Sequence, residues 1–248
     1  RWNLFYLYNL KSLLNKYNFS HVFDLQNSNR TKFYKKFLLN KSKWSSSESS
    51  LDKDEKLSDF NQDSVLKRME KQLKKSDIVV KNINSIDLSW CLKDISRNLK
   101  QYTNGDYILI FPFCSKKHIQ KKWPYFSELI VKIKEVYKNK YPVLIAPGPG
   151  EIEEAKNFNG KIVLDKNNPV NLNFLVSLIN SAKFIISNDT GPAHICSHLN
   201  KSGLALFGSH TTPEKVNIGN SNFKTLTVKK LTELDVNQVI EKIKENLD

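Results

Sequence analysis

The stretch 183–208, KFIISNDTGPAHICSHLNKSGLALFG, most constrains the fold of this chain. An apolar run ends in a polar turn at 188–192, a short amphipathic segment follows, and a second apolar run begins at Gly203. Strand, polar turn, short helix and strand in this order are typical of an open α/β sheet, which binds ligands at the carboxyl ends of its strands. Gly191 would let a ligand approach the backbone, and free N–H groups at a helix start suit a phosphate. A well-capped helix start without a ligand is the alternative.

Strands and helices alternate regularly after Gly105, and the strands are almost continuously apolar. This pattern favours a parallel sheet covered on both faces. We place a domain boundary near 102–105, which divides the chain into 1–102 and 103–248. The segment 41–63 is rich in Ser, Asp, Lys and Glu and predicts a mobile loop. The predicted strands are 107–112, 142–146, 161–164, 184–188, 203–207 and 223–228.

Two blocks carry a resemblance to a known family. DTGPAHICSHL followed by GLALFGSHTTP resembles the donor-binding signature of glycosyltransferase family 9, the heptosyltransferases of lipopolysaccharide core assembly. The block ILIFPFCSKKHIQKKWPYFSELI (108–130) is similar to the same family's strand, phosphate-facing loop and K-x-W-P helix start. A shorter block, HVFDLQNSNRTKFY, resembles the family's D-x-Q turn in the acceptor domain. Because the first two blocks occur in the same order as in the family, together they indicate this family more specifically than either block alone.

The resemblance implies an α/β fold of the GT-B type, with two facing Rossmann-like domains. Residues 103–248 would form the Rossmann-like nucleotide-sugar-binding domain, and 1–102 a partial acceptor-side domain. The family's opening strand and its Gly-Asp loop, which holds the candidate general base, have no match in this chain. Because the chain also begins at Arg1 rather than Met, we expect a missing N-terminal segment, and we assign no catalytic residue.

The resemblance also implies which residues bind the donor. Lys121 holds the K-x-W-P position and is expected to contact the diphosphate, with Lys122, Lys116 or Lys117 as alternatives. An ammonium at a loop suits phosphate, although solvated surface lysines would give the same pattern. The other expected donor-binding residues are Glu151, Asp189, Thr190, Gly191, His194 and Thr211.

Several of these residues have an alternative interpretation. Glu151 matches an acidic residue that contacts the ribose, with Glu153 as the alternative. A carboxylate in a first helical turn also stabilises the helix dipole. Asp189 is expected to orient its turn by accepting backbone N–H bonds, or to contact a sugar hydroxyl. His194 could donate to phosphate when protonated, or have a structural role. Thr212 is the alternative to Thr211, and Arg30 is assigned to an anionic acceptor.

Sugar transfer from a nucleoside diphosphate requires a stabilised leaving group, a deprotonated acceptor hydroxyl and in-line positioning. No D-x-D pair follows a strand, and no His/Asp cluster has metal-ligand spacing, so we expect no metal and no cofactor. The resemblance implies metal-independent transfer of a heptose-like sugar from an ADP-sugar, ADP-heptose, to a lipopolysaccharide core-type acceptor. The alternatives are another nucleotide-sugar as donor and a non-catalytic nucleotide-sugar-binding module.

The net charge is +14, but only 4 of the 39 basic residues are Arg. Base and phosphate recognition favour Arg, so we expect no nucleic-acid partner. Abundant Lys and Asn indicate compositional drift rather than a binding surface. Positive charge is also attracted to an anionic glycolipid and to the inner membrane surface, with which we expect peripheral association. Three widely spaced cysteines indicate a reducing compartment, and we expect a cytoplasmic location.

Overall fold

The computed structural model describes residues 3–81 and 86–247, and the chain divides into two compact units, 1–84 and 85–248. This division falls earlier than the boundary predicted near 102–105, because residues before 102 pack on the second unit. The backbone N–H of Lys93 donates to the Ser177 hydroxyl at 2.8 Å, and Ile95 is buried in the core of the second unit.

The first unit is built around two short parallel strands, in which His21 lies opposite Lys43 and Phe23 opposite Ser45. The buried Gln72 connects a helix to both strands, since its amide donates to the carbonyls of Asp24 at 2.8 Å and Ser45 at 3.0 Å. The elements are α1 (Leu4–Lys16), β1 (His21–Phe23), α2 (Asn29–Phe37), β2 (Lys43–Ser45), α3 (Leu57–Phe60) and α4 (Val65–Lys74).

The Ser-rich segment 41–63, which the composition predicts as a mobile loop, is folded into this unit. It contains β2, a 3-10 turn at Glu48–Ser50 and α3. The Ser50 hydroxyl donates to the Ser46 carbonyl at 2.7 Å, and the Ser47 N–H donates to the Asn27 side chain at 2.6 Å. Local bonds of this kind let short polar side chains be buried, which average hydrophobicity does not indicate.

The second unit contains all the strands that the sequence predicts after Gly105, each within two residues of its predicted bounds. It also has 3-10 turns at Ser89–Cys91, Lys116–Lys121 and Leu231–Glu233. Its elements are α5 (Ser96–Leu99), β3 (Ile108–Phe111), α6 (Phe126–Val136), β4 (Val143–Ile145), α7 (Ile152–Ala155), β5 (Lys161–Ile162), α8 (Leu172–Ser181), β6 (Phe184–Asn188), α9 (Gly191–His198), β7 (Gly203–Phe207), α10 (Pro213–Val216), β8 (Phe223–Thr227) and α11 (Val236–Leu247).

The six strands form one parallel sheet in the order β5-β4-β3-β6-β7-β8. Ile108 and Ile110 pack with α6 and α11, while Leu109 and Phe111 pack with α8 and α9 on the other face. Both faces are therefore covered, which explains the continuous apolar strands. The strand order reverses between β3 and β6, and sheets of this type bind ligands at the carboxyl ends of the strands at that point.

Close packing across the sheet requires a glycine at the start of β7. A Cβ on Gly203 would lie 2.5 Å from the carbonyl oxygen of Ile185 on the neighbouring β6.

No helix within residues 3–81 or 86–247 has the length and apolar character needed to cross a bilayer.

Candidate functional site

The segments that follow β3 and β6 meet at the point where the strand order reverses. Asn188, the last residue of β6, is fully buried, and its side-chain amide donates to the Phe113 carbonyl at 3.1 Å. Its side-chain oxygen accepts the backbone N–H of Trp123 at 3.0 Å. One buried amide thus fixes the loop after β3 against the end of β6. Trp123 is itself completely buried, as expected for a packing residue.

An ion pair joins the two loops directly. The Lys121 ammonium lies 2.6 Å from Oδ2 of Asp189, and the exposed fractions of the two side chains are 24% and 2%. Removing a carboxylate from water costs several kcal/mol unless it is paired, so Asp189 depends on this partner. An ammonium has three hydrogens to donate, and the contact with Asp189 uses one. The partly exposed Lys121 can therefore still donate to a ligand.

His210 is a second partner of the same carboxylate oxygen. Its Nε2 lies 3.0 Å from Asp189 Oδ2, and its ring stacks on Phe207 with 6.3 Å between ring centroids. Within the described residues, the carboxylate of Asp189 is thus held by two side chains and not by backbone N–H groups, which were one of the two expectations from the sequence. Sequence analysis missed His210. The available signal was its position just after β7, the strand next to β6.

The start of α9 is open to an anion. Thr190 is the N-cap residue, but its hydroxyl donates to the Asn188 carbonyl at 3.3 Å and caps no helical N–H. A Cβ built on Gly191 would meet no atom within 4 Å. The positive end of the helix dipole therefore faces open space that a phosphate could enter.

A cavity of about 510 Å³ lies beside this helix start, a size typical of small-molecule sites. Its lining comes from the segments after β3 and β4 and from the starts of α8 and α9. Besides Thr190 and Gly191, the lining residues are Phe111, Phe113, Cys114, Ser115, Ala146, Pro147, Gly148, Pro149, Glu151, Pro169, Val170, Leu172, Leu175 and Pro192.

Glu151 is the acidic residue of this cavity. Its Oε2 accepts the backbone N–H of Gly148 at 2.7 Å, which fixes the turn after β4. Burial raises the pKa of Glu151 above its ordinary value, and the bond from Gly148 partly offsets this effect. A carboxylate oxygen has several acceptor positions, so Glu151 can accept a ligand hydroxyl as well.

His194 and Thr211 are less well placed for the roles expected of them. Burial lowers the pKa of His194, while the charge of Asp189 acts in the opposite direction. This shift disfavours the protonated form that would donate to phosphate. Thr211 is not among the residues that line the cavity, and its neighbour Thr212 caps α10 by accepting the Lys215 N–H at 3.3 Å.

The other basic residues that were expected to bind the diphosphate or the acceptor do not share the surroundings of Lys121. The Lys122 ammonium forms an ion pair with Glu154 of α7, while Lys116 and Lys117 lie in the exposed 3-10 turn after β3. Arg30 belongs to the first unit, where its guanidinium lies 3.4 Å from the Gln26 side-chain oxygen. Its role towards an acceptor stays a prediction.

No group of three or more His, Cys, Asp or Glu side chains within 3–81 and 86–247 could hold a metal ion. At the start of α9, Pro192 has no N–H, and the Ala193 N–H donates to the Thr190 carbonyl at 3.0 Å. Among the described residues, the Lys121 ammonium and the Gly191 N–H can therefore bind an anion at this site. Together with the adjacent cavity, they can hold an elongated ligand that has an anionic part and a flat, apolar part.

Comparison with family models shows a match to glycosyltransferase family 9 (heptosyltransferase) over residues 7–242. Comparison with curated proteins finds no match.

Several solved structures are similar to the chain, all at low sequence identity. The E. coli ADP-heptose lps heptosyltransferase II has a TM-score of 0.68 at 15% identity, covering 97% of this chain and 80% of its own. The family 9 glycosyl transferase from Veillonella parvula gives 0.66 at 15% identity, with 97% and 77% covered. The E. coli heptosyltransferase WaaC with ADP gives 0.63 at 18%, with 92% and 73% covered. These neighbours are of the GT-B type, and the predicted fold class is confirmed.

Proposed function

Because the chain belongs to glycosyltransferase family 9 and is a glycosyltransferase, we propose that it moves a heptose-like sugar from an ADP-sugar to a lipopolysaccharide core-type acceptor. ADP-heptose is the donor we propose, and the transfer needs no metal ion. One observation carries the donor part of this proposal: Lys121 contacts Asp189, which lies two residues before α9 begins, and the start of α9 lines the cavity.

The donor would bind with its diphosphate between the Lys121 ammonium and the Gly191 N–H at the start of α9. Its nucleoside would enter the cavity, whose proline, valine and leucine side chains suit the flat face of a base. Glu151 would accept a ribose hydroxyl while it keeps its bond from the Gly148 N–H. The diphosphate, the base and the ribose then each meet a group of matching chemistry.

These groups also suit the chemistry of transfer. As the bond between the sugar and the diphosphate breaks, negative charge grows on the departing phosphate oxygen. A fixed ammonium and a fixed N–H group stabilise that charge without reorganising, and one such donor can be worth about 10²- to 10³-fold in rate. The acceptor hydroxyl must lose a proton in the same reaction, and we assign that role to no described residue.

ADP is favoured because one similar structure contains it and another is named for ADP-heptose. The acceptor is favoured by charge, since a net charge of +14 attracts an anionic glycolipid and an anionic membrane surface. We therefore place the reaction at the cytoplasmic face of the inner membrane, with the protein bound peripherally.

Calorimetry with ADP, UDP and GDP tests the donor, followed by turnover of ADP-heptose on a heptose-deficient glycolipid. The proposal predicts tighter binding of ADP than of UDP or GDP, together with sugar transfer. Preference for UDP would instead indicate a transferase for another nucleotide-sugar. Binding of ADP-heptose without transfer would indicate a nucleotide-sugar-binding module, and no nucleotide binding would exclude every donor-based function.

A further inference from the structure

The segments that follow three neighbouring strands each contribute one side chain to a set of contacts at the carboxyl ends of these strands. Lys121 follows β3, Asp189 follows β6 and His210 follows β7, and these strands are adjacent in the order β3-β6-β7. Lys121 Nζ and His210 Nε2 lie 2.6 and 3.0 Å from the same oxygen, Asp189 Oδ2. Asp189 therefore lies between Lys121 and His210, and the cavity begins at the next residue of the chain, Thr190.

The surroundings of His210 suit a fixed hydrogen-bond donor. Its side chain is 8% exposed, and its ring is nearly parallel to that of Phe207, at 9°. A carboxylate only accepts hydrogen bonds, so the hydrogen of this contact lies on Nε2. In the described part of the chain Nδ1 is buried without a hydrogen-bond partner, and the ring's polar contact is with Asp189.

We propose that His210 is a positioning residue, which fixes the Asp189 carboxylate so that the Lys121 ammonium points towards the donor diphosphate. The proposal rests on the proposed function for the identity of the ligand. A lysine side chain has many rotamers, and holding it in place costs conformational entropy. A carboxylate fixed by His210 restricts Lys121 before the donor arrives, so that less ordering remains to be done on binding.

Two substitutions separate the hydrogen bond from the packing of the ring. His210→Phe keeps an aromatic ring against Phe207 but has no donor, whereas His210→Gln places an amide donor at a similar distance from Asp189. We expect His210→Phe to weaken ADP binding up to about tenfold, because the Lys121 side chain would then be ordered only when the donor binds. We expect His210→Gln to restore affinity to within about threefold of the unchanged protein.

A double-mutant cycle shows whether His210 acts through Lys121. If it does, His210→Phe changes ADP affinity less than about twofold in a Lys121→Ala background. Equal weakening in both backgrounds would overturn the proposal, as would full ADP affinity in His210→Phe alone. Thermal unfolding of each variant identifies any that fails to fold. If His210→Phe does not fold, His210→Leu, which also lacks the donor, replaces it in the cycle with the same expected outcomes.

A measurement without nucleotide distinguishes this inference from the proposed function. Competitive acetylation, read by mass spectrometry of peptides, reports how freely the Lys121 amine reacts, with the paired Lys122 as internal reference. His210→Phe should raise the reactivity of Lys121 several-fold, and His210→Gln should not. If Lys121 responds in this way but the protein binds no ADP, the positioning role stands and the proposed function fails. Unchanged or lower reactivity in His210→Phe would overturn the positioning role.

Discussion

The Lys121 ammonium lies 2.6 Å from the Asp189 carboxylate, although the two residues are 68 positions apart in the sequence. The contact exists because β3 and β6 are neighbours in the sheet and both loops leave it at the same edge. It joins the two sequence blocks that resemble glycosyltransferase family 9, and it directs a cation to the start of α9.

Replacing Lys121 tests the cationic half of the site. Lys121→Ala should weaken ADP binding by about 10- to 150-fold, because it removes a hydrogen bond from a charged donor to phosphate. Isothermal titration calorimetry measures the effect.

Lys122→Ala is the matched control, since this neighbouring ammonium is paired with Glu154. It should change ADP affinity less than about threefold. If the two variants lose the same affinity, the effect comes from general positive charge, and Lys121 has no special place in the site.

Gly191→Ala tests the start of α9. An added methyl meets no protein atom, so the free energy of unfolding should stay the same or rise by up to about 1 kcal/mol. ADP affinity should nevertheless fall at least about tenfold, because the methyl fills space that a phosphate oxygen needs to reach the Gly191 N–H.

The control is Gly105→Ala, where an added methyl likewise meets nothing within 4 Å. This variant should keep both its stability and its ADP affinity. Full ADP affinity in folded Gly191→Ala would mean that no ligand approaches this helix start.

Glu151→Gln separates a ribose contact from a helix-dipole role. Burial raises the pKa of Glu151, so its ionised form at pH 7 opposes folding, and the neutral amide should raise the melting temperature slightly. ADP affinity should fall by about three- to tenfold, because a neutral oxygen accepts a hydroxyl less strongly. Glu153→Gln, on the exposed side of α7, should change neither quantity. An equal loss of ADP affinity in both variants would argue against a ribose contact.

The lowered pKa of His194 predicts an acid-sensitive fold. An unfolded chain binds a proton to this imidazole near pH 6.5, whereas burial keeps the folded protein unprotonated to a lower pH. Between these two pKa values the unfolded state holds more protons, so the free energy of unfolding decreases as the pH falls below about 6.5. Urea unfolding at pH 7.5 and 5.5 should show that His194→Asn reduces this decrease. The exposed His118→Asn is the control, and the same pH dependence in both variants would contradict the assignment.

The six-stranded sheet of the second unit was predictable because the sequence patterns that indicate its strands are local. Long apolar runs that end in polar turns placed every strand of the six-stranded sheet within two residues. Local signals were less exact at helix starts, since α6 begins at Phe126 and not at Pro124. They were wrong for the Ser-rich segment, whose burial depends on the specific hydrogen bonds of Ser47 and Ser50.

The site was predictable only where topology follows from the sequence. Parallel strands bring their carboxyl ends to one edge, so the Lys121 and Thr190 loops could be expected to meet there. The contact between His210 and Asp189 could not, because it depends on the exact path of the turn after β7. The raised pKa of Glu151 likewise results from burial, which no sequence pattern records.

A crystal structure of the protein with bound ADP tests the central claim most directly. The account predicts diphosphate oxygens within hydrogen-bonding distance of both Lys121 Nζ and the Gly191 N–H, with the nucleoside in the cavity beside Glu151. An ADP molecule that binds elsewhere, or a diphosphate that contacts neither group, would contradict it.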